Sequence, residues 1–120
     1  MMAGKILIVD DNPNMSSLLS EMLEVFDYQS VRANDGMEAI EKVNQDDISL
    51  VITDMRMPKM SGLDLLQKIK EKRPDLPVVV ISGYALDEEG NNLLSSLADG
   101  FLNKPFKMSD IEALLKQVVG

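Results

Sequence analysis

Five side chains in this 120-residue sequence have the types and placement to do chemistry: Asp10, Asp11, Asp54, Ser82 and Lys104. All follow apolar runs. Ile6-Leu7-Ile8-Val9 precedes Asp10-Asp11, Leu50-Val51-Ile52-Thr53 precedes Asp54, Val78-Val79-Val80-Ile81 precedes Ser82, and Gly100-Phe101-Leu102-Asn103 precedes Lys104. A carboxylate at the mouth of a buried strand is costly unless a metal, a cation or hydrogen bonds hold its charge. Carboxylates sharing one rim repel one another, so the set calls for something cationic. Oxygen-only ligands suit a hard cation such as Mg²⁺, which keeps several waters and leaves room for phosphate oxygens. Lys104 adds a fixed positive charge and Ser82 a hydroxyl donor, which together suit a phosphoryl group with its charge spread over its oxygens. The sequence has no Gly-rich phosphate loop of Walker spacing, which points to a phosphate carried on a side chain. Aspartate can be that nucleophile, forming an acyl phosphate.

Composition narrows the chemistry further. With no cysteine and no histidine, disulfides, thiol catalysis, the usual zinc sites and any His-based triad are excluded. Any histidine the reaction needs must come from a partner. A net charge of −8 argues against direct nucleic-acid binding by this domain. The opening apolar run, Ile6 to Val9, is too short for a signal peptide or membrane insertion. The expectation is one soluble cytoplasmic domain over residues 1–120.

The elements that must position these side chains follow from periodicity. Lys5–Val9 reads as a buried strand, followed by a helix capped by Asn12 with Pro13 in its first position. Met15, Leu18, Leu19, Met22 and Phe26 form its apolar stripe. Tyr28–Ala33 reads as a more polar strand near an edge, and Asn34-Asp35-Gly36 as a turn. A second helix turns Ala39, Ile40 and Val43 inward. Leu50–Thr53 is the third strand. Ser61 or Gly62 opens a helix with Leu63, Leu66 and Ile69 on one face, closed before Pro74. Val78–Ile81 is the fourth strand. A fourth helix carries Leu93, Leu94 and Leu97, and its first turns hold Gly90-Asn91-Asn92, poor helix formers that make it the loosest helix expected. Gly100–Leu102 is the last strand. Ser109-Asp110-Ile111-Glu112 reads as a capping box opening a final helix with Ile111, Leu114, Leu115 and Val118 inward. Near-continuous Val/Ile/Leu strands alternating with amphipathic helices imply a parallel sheet covered on both faces. Ligands in such folds sit outside the carboxyl ends of the strands, which brings all five candidate side chains to one edge.

With these residues in place, the chain resembles the receiver domain of two-component response regulators over essentially its whole length. The matching stretches are Asp10-Asp11, Thr53-Asp54-Met55-Arg56-Met57-Pro58-Lys59-Met60-Ser61-Gly62, Ser82-Gly83 and Lys104-Pro105-Phe106. The resemblance implies a flavodoxin-like three-layer (βα)5 sandwich with strand order 2-1-3-4-5, the doubly wound order that flavodoxin shares with the chemotaxis receiver. It implies that Asp54 takes a phosphoryl group from the phosphohistidine of a sensor histidine kinase or a His-containing phosphotransfer protein. It further implies Mg²⁺ bound by Asp11, Asp54 and the backbone carbonyl of Arg56, with Asp10 acting mainly through water. Ser82 would bind a phosphoryl oxygen and act with Phe101 as the switch, and Lys104 would pair first with Asp54 and then with the phosphate. Lys104-Pro105 is expected to be cis. Phosphorylation would change the face made by the fourth helix, the fifth strand and the fifth helix, read by a downstream protein or a fused output domain. Catalysis would be limited to Mg²⁺-dependent self-phosphorylation from phosphodonors and autodephosphorylation.

Two positions depart from the commoner pattern. Phe101 stands where tyrosine is frequent, so it can rotate inward but offers no hydroxyl. Ser82 replaces threonine, keeping the donor but losing the β-branch that fixes the rotamer. Arg56 and Tyr84 occupy the variable positions that tune phosphoryl lifetime in the family.

Blander readings exist for each residue alone. Asp10-Asp11-Asn12-Pro13 reads as a turn and cap, Asp54 as a strand-end cap, Ser82 as a turn residue, Lys104 as a solvated loop lysine and Phe101 as core. Asp10, Asn12, Asn14 and Glu21 even match a calcium loop, but Met15 stands where its sharp turn needs glycine. Independent bland roles would not gather at one sheet edge. A degenerate receiver that binds partners without phosphorylation is the alternative, and the intact acidic set with Ser82 and Lys104 argues against it. A flavin carrier on the same architecture needs a phosphate-cradling loop where Asp10-Asp11 would repel phosphate.

Overall fold

The computed structural model describes residues 4–45, 47–55, 57, 60–82, 97–104 and 106–118. Chain order gives β1 (Lys5–Val9), α1 (Pro13–Val25), β2 (Ser30–Ala33), α2 (Gly36–Gln45), β3 (Ile48–Asp54), α3 (Gly62–Lys72), β4 (Val78–Ser82), β5 (Gly100–Asn103) and a C-terminal helix (Met108–Val118). The strands form one sheet in the order β2-β1-β3-β4-β5, and every adjacent pair is parallel. This is the flavodoxin-like doubly wound order that the resemblance implied. The fourth helix expected between Ser82 and Gly100 lies, apart from Leu97, outside the described residues, as do Arg56, Gly83, Tyr84 and Pro105.

Successive strand side chains point to opposite faces, which divides the core in two. Leu7, Val9, Val51, Val78 and Val80 pack with Ala39, Val43, Leu65, Leu66 and Ile69 from α2 and α3. Ile6, Ile8, Leu50, Ile52, Val79 and Ile81 pack with Leu19, Leu23, Ile111, Leu114 and Leu115 from α1 and the C-terminal helix. Burying each Val, Leu or Ile among these is worth about 1.5–3 kcal/mol, so β1, β3 and β4, buried along almost their whole length, anchor the site firmly. β3 is longer than the expected Leu50–Thr53 because it has neighbours on both sides. Its last residue, Asp54, still lies in register with Ile81.

Three local readings change. Leu18 is 43% exposed, while Ser16 is buried. The inward face of α1 is centred on Ser16, Leu19 and Leu23, and the Ser16 hydroxyl donates to the Pro13 carbonyl at 3.2 Å, which satisfies it inside the core. A hydropathy stripe passes over a small, internally bonded serine. The expected Tyr28 start of β2 moves to Ser30 because α1 ends in a Schellman motif. There the Tyr28 and Asp27 N–H groups donate to the Leu23 and Glu24 carbonyls, both at 3.0 Å, and Asp27 takes the left-handed conformation with φ 67°. The final helix opens at Met108, one residue before Ser109, so the expected capping box is displaced. The Asp110 carboxylate reaches back to the Lys107 N–H at 2.8 Å. The caps of α1 and α3 fall where expected: Asn12 accepts from the Asn14 N–H at 3.0 Å, and Ser61 from the Asp64 N–H at 3.1 Å. The stretch read as a turn, Asn34-Asp35-Gly36, also caps α2. Asp35 accepts from the Glu38 N–H at 2.8 Å, and Glu38 accepts from the Asn34 N–H at 2.6 Å.

Candidate functional site at the carboxyl edge of the sheet

The site is built at the C-terminal ends of β1, β3, β4 and β5. β1 delivers Asp10, whose N–H donates to the Ala33 carbonyl at 3.1 Å, tying it to the end of β2. The Asp10 side chain is 3% exposed, and its Oδ1 accepts from the Asn12 N–H at 2.9 Å. That bond fixes the carboxylate while Asn12 caps α1, so one turn both starts the helix and aims an acid. Asp11 beside it is exposed.

β3 delivers Asp54, in register with Ile81 of β4. Thr53, fully buried, donates its hydroxyl to the Asp54 carbonyl at 3.0 Å, and the Met55 N–H donates to the Ile81 carbonyl at 2.9 Å. The rim residue therefore inherits the rigidity of the central sheet. Carboxylate oxygens of Asp10, Asp11 and Asp54, one from each, all lie within 4.8 Å of one another. Lys104 Nζ lies 3.4 Å from Asp54 Oδ1, longer than the usual 2.7–2.9 Å or so of a charge-assisted bond. Ser82 is buried and sits in register with Asn103. Its carbonyl accepts from the Lys104 N–H at 3.0 Å, which holds the Lys104 backbone at the same edge.

Burial pushes the Asp10 carboxyl above its ordinary value. The Asp54 and Asp11 charges push the same way, against the Asn12 N–H bond and the Lys104 charge. An acid held up by desolvation and by like charges is one that a cation would favour in its ionised form. The donor set is entirely oxygen and close enough for one ion to be shared, with waters completing its shell, which fits Mg²⁺ better than a softer metal.

The edge thus gathers Asp10, Asp11, Asp54, Ser82 and Lys104 as the sequence placed them. Phe101 lies on β5 in register with Val80 and is 39% exposed, in contrast to a core role. The Arg56 carbonyl lies outside the described residues. Residue-by-residue reading missed the Asn12 N–H as a partner of Asp10 and Thr53 as a partner of the Asp54 backbone. Their signal is only adjacency to an acid, which is too common to single them out.

This oxygen-donor rim stands at the carboxyl edge of a doubly wound parallel sheet, where α/β proteins of this order bind their ligands. Comparison with known proteins narrows the choice of family. Residues 6–116 match the family described as the response regulator receiver domain. The chain is 37% identical over 110 residues to the sensor histidine kinase RcsC of Escherichia coli K12, covering 92% of this chain and 12% of the relative. It is 32% identical over 114 residues to the transcriptional regulatory protein ZraR of Klebsiella oxytoca, covering 95% of this chain and 26% of the relative. The chain therefore spans only a small part of the length of these relatives. Among solved structures it resembles the response regulator TrrA of Thermotoga maritima in complex with Mg²⁺-BeF, with a TM-score of 0.87 and 32% identity, covering 97% of this chain and 99% of that one. The chain belongs to the response regulator receiver domain family of two-component systems and is homologous to the receiver domains of histidine kinases. Among the described residues, no helix is long and apolar enough to cross a membrane.

Proposed function

We propose that residues 1–120 form one receiver unit in which Asp54 accepts a phosphoryl group from the phosphohistidine of a sensor histidine kinase or a His-containing phosphotransfer protein. The observation that carries this reading is the position of Asp54. Among the described residues it alone belongs both to the carboxylate cluster and to the ion pair with Lys104. In the transfer an Asp54 carboxylate oxygen attacks phosphorus as the P–N bond breaks. The departing imidazole nitrogen keeps the electron pair, and Asp54 carries an acyl phosphate. Lys104 Nζ, already beside Asp54, is placed to pair with the new phosphate oxygens. Asp10, Asp11, Asp54 and the Arg56 carbonyl would hold Mg²⁺, which when bound supplies positive charge to the phosphoryl oxygens.

Ser82, buried at the end of β4, would take a phosphoryl oxygen. Phe101, outward-facing in this structure, would move inward with it and change the face made by the segment after Ser82, β5 and the C-terminal helix. A downstream protein or a fused output domain would read that face. The relatives' names, a sensor kinase and a transcriptional regulator, support a receiver that works in a longer phosphorelay. Hydrolysis of the acyl phosphate by water, also Mg²⁺-dependent, would reset the switch.

Incubation with acetyl phosphate and Mg²⁺, read by intact-protein mass spectrometry, tests this reading. Wild type should gain the mass of one phosphoryl group, mapped to Asp54. The gain should vanish with a chelator and in Asp54→Asn. A wild-type chain that stays unmodified with both reagents present would leave a phosphorylation-independent binding module in its place.

A further inference from the structure

Gly62, the first residue of α3, is buried. Its N–H donates to the Met55 carbonyl at 2.8 Å, closing the loop that follows Asp54. A β-carbon built at Gly62 falls onto the Asp54 carbonyl oxygen, 2.8 Å from Met55 Cα and 3.0 Å from the Asp54 carbonyl carbon. All three atoms are backbone of one peptide, at the end of a central strand, and none can swing away as a side chain does. Among the described residues no glycine has a positive φ, so glycine is needed here for room and not for its conformational freedom. The Asp54 carbonyl oxygen also receives the Thr53 hydroxyl at 3.0 Å. The peptide that carries the acceptor's main chain is thus held by Thr53 and by the bare Cα of Gly62. Gly36 offers a contrast. The three atoms nearest to a β-carbon there all belong to the Met60 side chain, its sulfur at 2.5 Å.

We propose that Gly62 is a positioning residue for the Asp54 site. By letting α3 start directly against the Asp54–Met55 peptide, it sets where the Asp54 carboxylate meets Asp10, Asp11 and Lys104. This rests on the phosphoryl-acceptor reading above. A methyl group at residue 62 would push that peptide away, and the carboxylate would move with it.

The test is a Mg²⁺ titration of the metal-free chain by calorimetry and amide chemical shifts, on wild type, Gly62→Ala, Gly36→Ala and Ile69→Val. Gly62→Ala should weaken Mg²⁺ binding on the order of 10- to 100-fold, the usual cost of losing a group that orients metal ligands. Gly36→Ala should bind as wild type does, since the Met60 thioether can move aside. Ile69→Val, which trims α3 where it packs on the sheet, should lower the thermal midpoint and leave Mg²⁺ affinity unchanged, separating a positioning effect from simple loss of stability. A folded Gly62→Ala chain that binds Mg²⁺ as tightly as wild type would overturn the proposal. If Gly62→Ala does not fold, amide exchange on wild type decides. A Gly62 N–H protected as strongly as the β3 amides supports the clamp, and exchange at the rate of exposed loop amides overturns it. A wild type that neither binds Mg²⁺ nor takes up a phosphoryl group overturns the functional reading first and this proposal with it.

Discussion

Two lysine–aspartate pairs, Lys70–Asp99 and Lys104–Asp54, stand at opposite ends of the sheet and join similar partners in different ways. At the amino end, Lys70 Nζ lies 2.7 Å from Asp99 Oδ2 and also donates to the Leu76 carbonyl at 2.8 Å. The same Asp99 oxygen accepts from the Val78 N–H at 2.9 Å, and the Asp99 N–H donates to the Val78 carbonyl at 2.8 Å. The end of α3 and the starts of β4 and β5 are locked together, with the hydrogen-bonding capacity of both charged groups largely used. At the carboxyl end, Lys104 reaches Asp54 at 3.4 Å, and two further carboxylates crowd the same oxygen cluster. The first pair is arranged for stability. The second leaves charge uncompensated, as the proposed entry of a cation and a phosphoryl group would require. Burial alone does not separate them, since both are partly shielded. The number and length of the bonds does.

The contrast can be broken most completely at the rim. Asp54→Asn should abolish phosphorylation by acetyl phosphate while the far-ultraviolet circular dichroism stays native, with intact mass as the readout. At the opposite end, Asp99→Ala leaves the Val78 N–H and Lys70 without their shared acceptor. It should cost about 1–2 kcal/mol after allowance for the partial exposure of Asp99, measured by urea unfolding. Mg²⁺ affinity should not change, and a loss of Mg²⁺ binding in this variant would show that the two ends are coupled.

Asp10 sharpens the comparison through pH. Its folded-state pKa is raised, chiefly by burial and then by Asp54 and Asp11, so the folded chain binds more protons than the unfolded one. Metal-free stability should therefore fall as pH rises from the ordinary carboxylate pKa through the raised one, and stay lowered at neutral pH. Asp10→Asn should remove that decline and raise the metal-free midpoint at pH 7, whereas with Mg²⁺ present the wild type should recover the difference. Thermal scans across pH with and without Mg²⁺ check the sign. The smallest effect is expected at Asp27, remote from the rim. Asp27→Gly, at the left-handed position that closes α1, should stabilise by about 0.5–1 kcal/mol with no change in Mg²⁺ binding.

Much of this architecture was legible because its signals are local. The strand runs Lys5–Val9 and Val78–Ile81 admit few other readings, and the rule that ligands gather at the carboxyl edge of a parallel sheet collects Asp10, Asp11, Asp54, Ser82 and Lys104 from the sequence alone. What escaped depends on three-dimensional partners. Lys70 and Asp99 are ordinary surface residue types far apart in sequence, and nothing in either predicts a lock on β4. Gly62 reads as a helix opener, and only the proximity of the Asp54 peptide gives it a second meaning. Leu18 leaves the expected apolar stripe while Ser16 is buried, because a serine bonded within its own helix turn is effectively apolar. The displaced cap at Lys107 follows from Asp110, whose carboxylate competes with the Ser109 hydroxyl for the role of helix opener.

The two outer strands bear on a different problem. Both β2 and β5 have only four residues, Ser30–Ala33 and Gly100–Asn103, and present exposed side chains such as Arg32 and Asn103. Such brief borders offer another chain little ladder to extend. Homologous modules occur within much longer sensor and regulator proteins, where neighbouring domains are held at high local concentration. There, borders with so little free ladder would resist adventitious strand addition from a neighbouring domain.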